Sequence, residues 1–389
     1  MPTAPHPAPA ATAIGAVRHE NFAYQRAPMI VYWELTTACG LACRHCRAEA
    51  VRQATPGELT TRQALAVLDQ IIGFGRSSTG EHSGDPLPHI VMTGGDPLRR
   101  ADLDELITAA TDRGIGVSLA PAVTPLLSRS RLEELKELGV QAISLSLDGS
   151  TSELHDGVRQ VPGTFDATFA ALDVATEVGM PVQVNTLVTA DTLPDIPAVY
   201  ELLRTRTLMT WSLFFLISTG RGTQLREASP GEAERLMRWL GGIAHDAPFQ
   251  VRTTEATHYR RVAATRFEKA GRSAAEIEAM PMARGFGIRD GNGIVFISHK
   301  GEVTPSGFLP LAVGNVKERS LVELYRDDPT MRSLRDPAGF KGRCGECEYH
   351  LWCGGSRARA YAWTGDPLES DPLCPYQPGT RTTALTAAR

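Results

Sequence analysis

The run Ile30–Leu35 (IVYWEL) leads directly into Cys39–Cys46 (CGLACRHC), and the other features of the sequence can be arranged around this stretch. Its first part is rich in β-branched and aromatic residues, which predicts a strand. Its second part carries three cysteines with the spacing C-x3-C-x2-C. The loop after a strand of a parallel α/β protein lies at the edge of the sheet where active sites form. The stretch therefore predicts a metal-binding active site.

Six strand–helix repeats extend from this stretch to about residue 243. The predicted strands are nearly continuous apolar runs at 30–35, 89–92, 116–119, 141–147, 182–188 and 209–216. Such runs are typical of a parallel sheet that helices cover on its outer face. Because a closed barrel of this kind needs eight repeats, six predict an α/β fold with a partial (β/α)6 TIM-like barrel.

The character of the sequence changes along the chain and predicts four segments. A flexible N-terminal tail covers residues 1–28, and the barrel covers 29–245. A linker region follows at 246–284, and a small, loop-rich, cysteine-bearing module at 285–389. Within the barrel, residues 76–88 are polar and rich in Gly, Ser and Pro, which predicts a surface insertion.

The composition excludes several classes of protein. The 389 residues are 42% hydrophobic and 22% charged, which is enough apolar material for a core. The net charge of -4 shows no basic excess, so neither a nucleic acid nor an anionic membrane is expected as partner. No apolar run approaches the ~20 residues that cross a bilayer. Seven cysteines in two distant groups favour metal binding in a cytoplasmic protein over disulfides.

The first cysteine group can hold an iron–sulfur cluster with an open iron. Cys39, Cys43 and Cys46 supply three thiolates, which can bind three irons of a [4Fe–4S] cluster. The fourth iron then stays free for a substrate or cofactor. A zinc site remains an alternative, since His45 within the loop can supply a fourth ligand.

The second group predicts a closed site. Its four cysteines follow the pattern C-x2-C-x5-C with the last one 21 positions further on, namely Cys344, Cys347, Cys353 and Cys374. Four thiolates complete either a Zn(Cys)4 site or a fully ligated [4Fe–4S] cluster. Three plus four cysteines use all seven, so only one cluster beyond the first can be fully thiolate-ligated.

The segment Cys39–Cys46, in its position after the first strand, resembles the radical S-adenosylmethionine (SAM) superfamily, and the resemblance extends over most of residues 30–245. It implies that the open iron chelates the amino and carboxylate groups of SAM. An electron from the cluster then cleaves SAM to methionine and a 5′-deoxyadenosyl radical, which abstracts a hydrogen from the substrate. An electron donor such as flavodoxin or ferredoxin is implied as partner.

The same resemblance implies a set of SAM contacts. Thr93–Pro97 (TGGDP) stands where the family usually has Gly-Gly-Glu-Pro, with backbone carbonyls on the methionine ammonium. An arginine after the fourth strand holds the SAM carboxylate in related enzymes, and Gly220–Gly222 is expected to bound the adenine side. The implied contact residues are Gly94, Gly95, Asp96, Ser146, Asp148, Arg159 and Asn185.

The C-terminal module resembles the SPASM extension of radical SAM enzymes. The similar positions are 301–303, 305–307, 314–316, 344–353 and 374–375. The resemblance implies an auxiliary [4Fe–4S] cluster. Phe308, Gly354–Ala360 (GGSRARA) and Gly365–Pro367 (GDP) are similar to the branch that modifies tetrapyrrole side chains, which includes a haem synthase that oxidatively decarboxylates propionates.

The expected substrate is therefore a tetrapyrrole or a related small molecule. Arg343, Arg357 and Arg359 are expected either to bind its carboxylates or to pair with acidic residues such as Glu346 or Glu348. A peptide maturase is the alternative enzyme, with a peptide as substrate. An alternative of another class is a non-catalytic zinc or iron–sulfur scaffold.

Overall fold

The computed structural model describes residues 24–75 and 86–379. The predicted tail up to residue 23 and residues 76–85 of the predicted surface insertion lie outside the described residues. The strands are β1 (Ile30–Glu34), β2 (His89–Thr93), β3 (Val117–Leu119), β4 (Val140–Ser146), β5 (Val182–Val188), β6 (Thr210–Phe215), β7 (Gln250–Thr254), β8 (Ile294–Ile297), β9 (Glu302–Thr304) and β10 (Gly314–Asn315).

Helices follow most of these strands. Those of the first two thirds of the chain are α1 (Thr61–Ile72), α2 (Leu103–Asp112), α3 (Arg129–Glu137), α4 (Ser152–Arg159), α5 (Thr164–Val178), α6 (Ile196–Leu203) and α7 (Pro230–Ile243). The later ones are α8 (Tyr259–Lys269), α9 (Ala274–Glu278), α10 (Leu321–Asp327), α11 (Pro329–Arg335), α12 (Gly342–Glu346) and α13 (Arg357–Thr364).

One sheet organises the described residues, in the order β10-β9-β8-β1-β2-β3-β4-β5-β6-β7. Strands β1 to β7 are parallel to their neighbours, and β8 is parallel to β1. At one edge β9 pairs antiparallel with both β8 and β10. All six predicted strand–helix repeats are present as β1 to β6 with their helices, and the predicted α/β class with a partial barrel is confirmed.

Local sequence explains how the helices attach to the sheet. Thr60 caps α1 in a capping box with Gln63, which satisfies two backbone donors at the start of the helix. The buried positions of α1 recur every three or four residues and are Ala64, Val67, Leu68 and Ile71. They pack in the same core as Trp33 of β1 and Trp211 of β6, both fully buried. The core thus lies between the sheet and its helices and leaves the strand ends for the site.

The later part of the chain continues the barrel sheet. Residues 246–284, predicted as a linker, contain β7 in register with β6, and the helices α8 and α9. The hairpin of β8 and β9 begins with Ile294 opposite Ile30 of β1. The described end of the predicted tail lies against α10, where the carbonyl of Tyr24 accepts a hydrogen bond from Tyr325. The division into tail, barrel, linker and module stays a prediction.

A helix that crosses a bilayer must be long and apolar. Within residues 24–75 and 86–379, no helix is both long enough and apolar enough to cross a membrane.

Candidate active site

A cavity of ≈ 270 Å³ lies at the carboxyl ends of the strands. The loops after β1, β2 and β3 form one side of it, and β4, β5 and β6 with their loops form the other. Nine of the ten barrel residues predicted for the cluster and SAM line this cavity: Cys39, Cys43, Cys46, Gly94, Gly95, Ser146, Asp148, Arg159 and Asn185. The structure thus brings residues separated by up to 146 positions to one cavity.

The three cysteines of the loop after β1 are free thiols and suit metal ligation. Each sulfur accepts one hydrogen bond: Cys39 from Leu41 N at 3.3 Å, Cys46 from Ala50 N at 3.4 Å, and Cys43 from Arg159 Nη1 at 3.5 Å. Such bonds stabilise thiolates. Burial raises the pKa of Cys39 to about 11, so ligation must displace a proton from this thiol.

The glycine turn after β2 packs on the segment that precedes Cys39. Gly95 N donates to Thr36 O at 2.7 Å, and a Cβ on Gly95 would lie 2.5 Å from Ala38 O. Only glycine permits this approach. The turn therefore fixes the cysteine loop while Gly94 and Gly95 face the cavity.

Unlike Gly94 and Gly95, Asp96 does not line the cavity, and its carboxylate is fully buried. It accepts hydrogen bonds from Leu98 N, Ala122 N and Thr124 Oγ1. Burial raises the pKa of Asp96. Its side chain therefore joins the loop after β2 to the loop after β3. The SAM contact predicted for Asp96 stays a prediction, and its carboxylate is already engaged by these three donors.

Asp148 and Arg159 form a buried ion pair beside the cysteines. Asp148 Oδ2 lies 2.5 Å from Arg159 Nη2, and Asp148 Oδ1 accepts from Leu187 N at 2.7 Å. Although burial raises the pKa of Asp148, the charge of Arg159 and nearby groups outweighs it and holds the pKa below its usual value. The carboxylate thus positions the guanidinium, whose Nη1 contacts Cys43.

Two histidines in the cavity wall are neutral near pH 7. Burial lowers the pKa of both His45 and His155 to about 4. His155 Nδ1 accepts from Asp148 N at 3.0 Å, so its ring proton is on Nε2. His45 Nδ1 is buried without a hydrogen-bond partner among the described residues.

Ser146 and Asn185 are direct neighbours on β4 and β5. Both face the cavity. Gln183 Nε2 donates to Asn185 Oδ1 at 2.8 Å, which fixes the orientation of the amide. The Asn185 amide nitrogen is left as a donor on the cavity side.

Phe308, from the turn after β9, closes one wall of the cavity. Ser306 is buried, and its Oγ accepts from Phe308 N and Leu309 N at 3.2 Å each. This turn aims the Phe308 ring at Phe214 of β6, with ring centroids 6.5 Å apart. The C-terminal module therefore supplies an aromatic surface to a site that the barrel builds.

A second connection between module and barrel was missed in the sequence. Glu34, buried at the end of β1, is bound by Arg47 Nη2 and by His299 Nδ1, both at 2.6 Å. Arg47 directly follows the last cysteine of the loop and also stacks on Phe296. The sequence did contain a signal for this contact. Glu34 stands at the end of an apolar strand, and a carboxylate buried there needs a cation as partner.

The four C-terminal cysteines line a separate small pocket. Cys344 Sγ accepts from Asp371 N at 3.4 Å and from Arg357 Nη2 at 3.5 Å. Cys353 Sγ accepts from Gly355 N at 3.4 Å and lies 3.5 Å from Thr257 Oγ1. Burial raises the pKa of Cys347 to about 12. Four free thiols with directed donors fit a thiolate-ligated group.

The thiols do not converge on one point. Within the described ranges, no three His, Cys, Asp or Glu side chains are grouped for a single metal ion. A [4Fe–4S] cluster does not require that convergence, because each of its thiolates binds a different iron.

The prediction that arginines of the module bind substrate carboxylates is wrong for Arg357 and Arg359, and the alternative of pairing with acidic residues holds for Arg359, although its partner is Glu227 and not Glu346 or Glu348. Both arginines are fully buried and lie outside the cavity lining. Arg357 donates to carbonyls at 367 and 369, and Arg359 pairs with Glu227 at 3.0 Å. Arg357 therefore ties together loops near the end of the chain, whereas Arg359 joins α13 to the segments that follow β6 and β7.

Comparison with known proteins identifies the class. Residues 33–203 match the Radical SAM superfamily. The chain is 37% identical over 364 residues to the AdoMet-dependent heme synthase of Methanosarcina barkeri, covering 92% of this chain and 99% of that protein. The chain therefore belongs to the radical SAM superfamily, and it is an enzyme that uses SAM and a [4Fe–4S] cluster.

Two further proteins are similar to this chain, the first in sequence and the second in fold. The Pre-heme d1 synthase of Dinoroseobacter shibae is 29% identical over 361 residues, covering 89% of this chain and 85% of that protein. SuiB of Streptococcus suis, solved with bound S-adenosylmethionine, superposes with a TM-score of 0.67 at 17% identity and covers 90% of this chain and 78% of that one. The second likeness supports the partial-barrel fold.

The residues at the cavity fit the cofactors of the family. Cys39, Cys43 and Cys46 are the three thiols that would hold the [4Fe–4S] cluster, and the glycine turn leaves backbone groups open beside them. When bound, the cluster supplies the electron that cleaves SAM and so provides a radical able to abstract hydrogen. The chain's own groups hold the Arg159 guanidinium at Cys43, and burial lowers the pKa of His45 and His155 so that both are uncharged near pH 7.

Proposed function

We propose that the chain oxidatively modifies the side chains of a tetrapyrrole, converting propionate groups to vinyl groups. The observation that carries the proposal is the match along nearly the whole length of the M. barkeri heme synthase, C-terminal module included. The aromatic surface of Phe214 and Phe308 supports it, because a flat apolar macrocycle needs such a wall.

Each conversion of a propionate to a vinyl group removes two electrons from the side chain. A propionate side chain gives up one hydrogen atom to the adenosyl radical, then CO2 and one electron, and a vinyl group remains; counted from the free acid, the acid proton is lost as well. The electron needs an acceptor. We propose that Cys344, Cys347, Cys353 and Cys374 hold an auxiliary [4Fe–4S] cluster of SPASM type that accepts it. Flavodoxin or ferredoxin would supply the electron that cleaves SAM.

The predicted SAM contacts belong to the same proposal. Arg159 is held beside Cys43, which supports a role in binding the SAM carboxylate close to the cluster. Ser146, Asn185 and the backbone of Gly94 and Gly95 offer polar groups on the other sides of the cavity.

The test uses the full chain, reconstituted anaerobically with iron and sulfide. It is mixed with SAM, a reductant and iron-coproporphyrin III, and the products are read by mass spectrometry. We expect 5′-deoxyadenosine and tetrapyrroles that have lost CO2 and two hydrogens for each propionate converted. The Cys39→Ala/Cys43→Ala/Cys46→Ala variant is the control and should form neither product.

Other outcomes decide against the proposal. Turnover of a peptide but not of the tetrapyrrole would make the chain a peptide maturase. Zinc in place of iron, with no 5′-deoxyadenosine, would indicate a non-catalytic scaffold.

A further inference from the structure

Arg221 carries buried donors that nothing in the described chain satisfies. It lies in the short 3-10 turn Gly220–Gln224 after β6 and lines the active-site cavity. Its Nε and Nη2 are inaccessible to solvent and have no hydrogen-bond partner within residues 24–75 and 86–379. Its Nη1 makes one long contact, 3.5 Å from Ala50 O. Buried guanidinium donors left unpaired are costly, so this site is built for a ligand.

The other cations of the cavity wall already have carboxylate partners. Arg47 pairs with Glu34 at 2.6 Å, and Arg159 pairs with Asp148 at 2.5 Å. No ion pair of Arg221 is found within the described ranges. Arg221 is thus the cation in this wall whose charge no carboxylate compensates, and it selects an anion.

The backbone holds Arg221 firmly in place beside the cysteine loop. Arg221 N donates to Cys46 O at 3.1 Å, and a Cβ on Gly220 would lie 2.5 Å from Arg47 O. The side chain makes no hydrogen bond to a cysteine sulfur in the described structure, whereas Arg159 does. The two arginines therefore have separate tasks, and that of Arg221 concerns a ligand other than the cluster.

Aromatic and aliphatic groups lie in the same wall as this charge. Phe214, Leu216 and Ile217 on and after β6 precede Arg221 in the chain, and Phe308 faces Phe214 across 6.5 Å. An apolar surface next to a single uncompensated guanidinium fits a planar apolar molecule with a carboxylate side chain.

We infer that Arg221 binds a carboxylate of the substrate and orients the macrocycle against the wall of Phe214 and Phe308. This inference rests on the proposed function and assigns a residue that sets substrate specificity. A planar guanidinium can grip a carboxylate through two donors, and Nε and Nη2 form such a pair.

The test measures binding of iron-coproporphyrin III by its absorbance change, with the reconstituted wild type, Arg221→Gln and Arg221→Lys. Arg221→Gln should raise the Kd about 10- to 100-fold, as expected for a lost charge-assisted pair. The Kd of Arg221→Lys should lie between those of wild type and Arg221→Gln, because lysine keeps the charge and loses the two-donor geometry. The tetramethyl ester of the same porphyrin lacks carboxylates, so wild type and Arg221→Gln should bind it equally.

The matched control is Arg226→Gln. Arg226 follows the same turn, is 75% exposed and pairs with Asp191 on the surface, so its substitution should leave the Kd unchanged. Iron content and SAM affinity, measured by dialysis, should be unchanged in both Arg221 variants.

Several results would overturn the inference. If wild type and Arg221→Gln bind iron-coproporphyrin III with equal Kd, Arg221 does not bind a substrate carboxylate. A weakened SAM affinity with unchanged porphyrin binding assigns Arg221 to the SAM carboxylate, and loss of iron assigns it to the cluster. If the wild type itself does not bind iron-coproporphyrin III, the proposed function is contradicted, and the inference about Arg221 is contradicted with it.

Discussion

Arg159 Nη2 lies 2.5 Å from Asp148 Oδ2, and both side chains are buried in the wall of the active-site cavity. A buried ion pair gains little net stability over apolar packing, because both charges lose their water. The pair instead holds the guanidinium in one direction, toward Cys43. Asp148 therefore acts as a positioning residue for a cation next to the cluster site.

Asp148→Asn should lower the free energy of unfolding of the metal-free protein by about 3 kcal/mol, because Arg159 stays buried with its charge uncompensated. Urea unfolding at neutral pH under anaerobic conditions measures the change. Asp191→Asn is the matched control, since it removes the partner of the exposed Arg226 and should cost less than about 1 kcal/mol. Equal effects of the two substitutions would contradict the role assigned to Asp148.

The same pair predicts a pH dependence. The pKa of Asp148 is depressed in the folded protein, so its contribution to stability is fully present above the unfolded value of about 3.9 and is lost as the pH falls through the folded value. The stability difference between wild type and Asp148→Asn should therefore be constant from about pH 5 to pH 8 and shrink only in stronger acid. A difference that vanishes near pH 7 would assign the effect to another group.

The sequence was informative where local pattern and chemistry coincide. The strands β1 to β6 are apolar because helices cover them, so their order and class could be predicted from apolar runs. The spacing of the cysteines limits what they can bind to zinc or an iron–sulfur cluster, and the choice of a cluster came from the position of the first group after β1 and from the family resemblance. The strand β7 could not be recognised, since Gln250–Thr254 is half-exposed at an edge and has one apolar residue.

Long-range contacts explain the remaining differences. The pairing of β8 with β1 joins residues more than 260 positions apart, and no local pattern encodes it. Asp96 stands in a motif that implies a ligand, yet its carboxylate accepts hydrogen bonds from Leu98 N of its own loop and from Ala122 N of the loop after β3. Arginines such as Arg357 and Arg359 are usually exposed, yet both are fully buried in this fold. In each case tertiary packing, not residue type, sets the role.

The reconstituted protein should contain about eight irons, the sum for two [4Fe–4S] clusters. Cys39→Ala/Cys43→Ala/Cys46→Ala should leave about four and abolish SAM cleavage. Iron analysis of the purified protein, with 5′-deoxyadenosine measured in parallel, gives both results. A triple variant that keeps its full iron and still cleaves SAM would show that the first cysteine group is not the cluster site.

Thr257→Val should lower the reduction potential of the auxiliary cluster. Thr257 Oγ1 lies 3.5 Å from Cys353 Sγ, and a hydroxyl that donates to a thiolate stabilises the more negative, reduced cluster. Loss of about 1 kcal/mol corresponds to about 40 mV for one electron. A redox titration followed by electron paramagnetic resonance measures the shift.

The control for this shift is Thr176→Val, which removes a hydroxyl that donates to Leu172 O within α5 and lines neither the active-site cavity nor the cysteine pocket. It should leave both potentials unchanged. An unchanged auxiliary potential in Thr257→Val would show that the hydroxyl does not donate to the ligated sulfur.

The auxiliary cluster should be needed for product formation but not for SAM cleavage. Four thiolates leave no open iron, so a cluster held by Cys344, Cys347, Cys353 and Cys374 cannot chelate SAM. Cys353→Ser should therefore abolish vinyl product while 5′-deoxyadenosine release continues uncoupled. Circular dichroism must accompany the assay, because the cluster also ties together the loops around Thr257 and Asp371. A well-folded Cys353→Ser variant that converts substrate at the normal rate would leave this cysteine group with a structural role only.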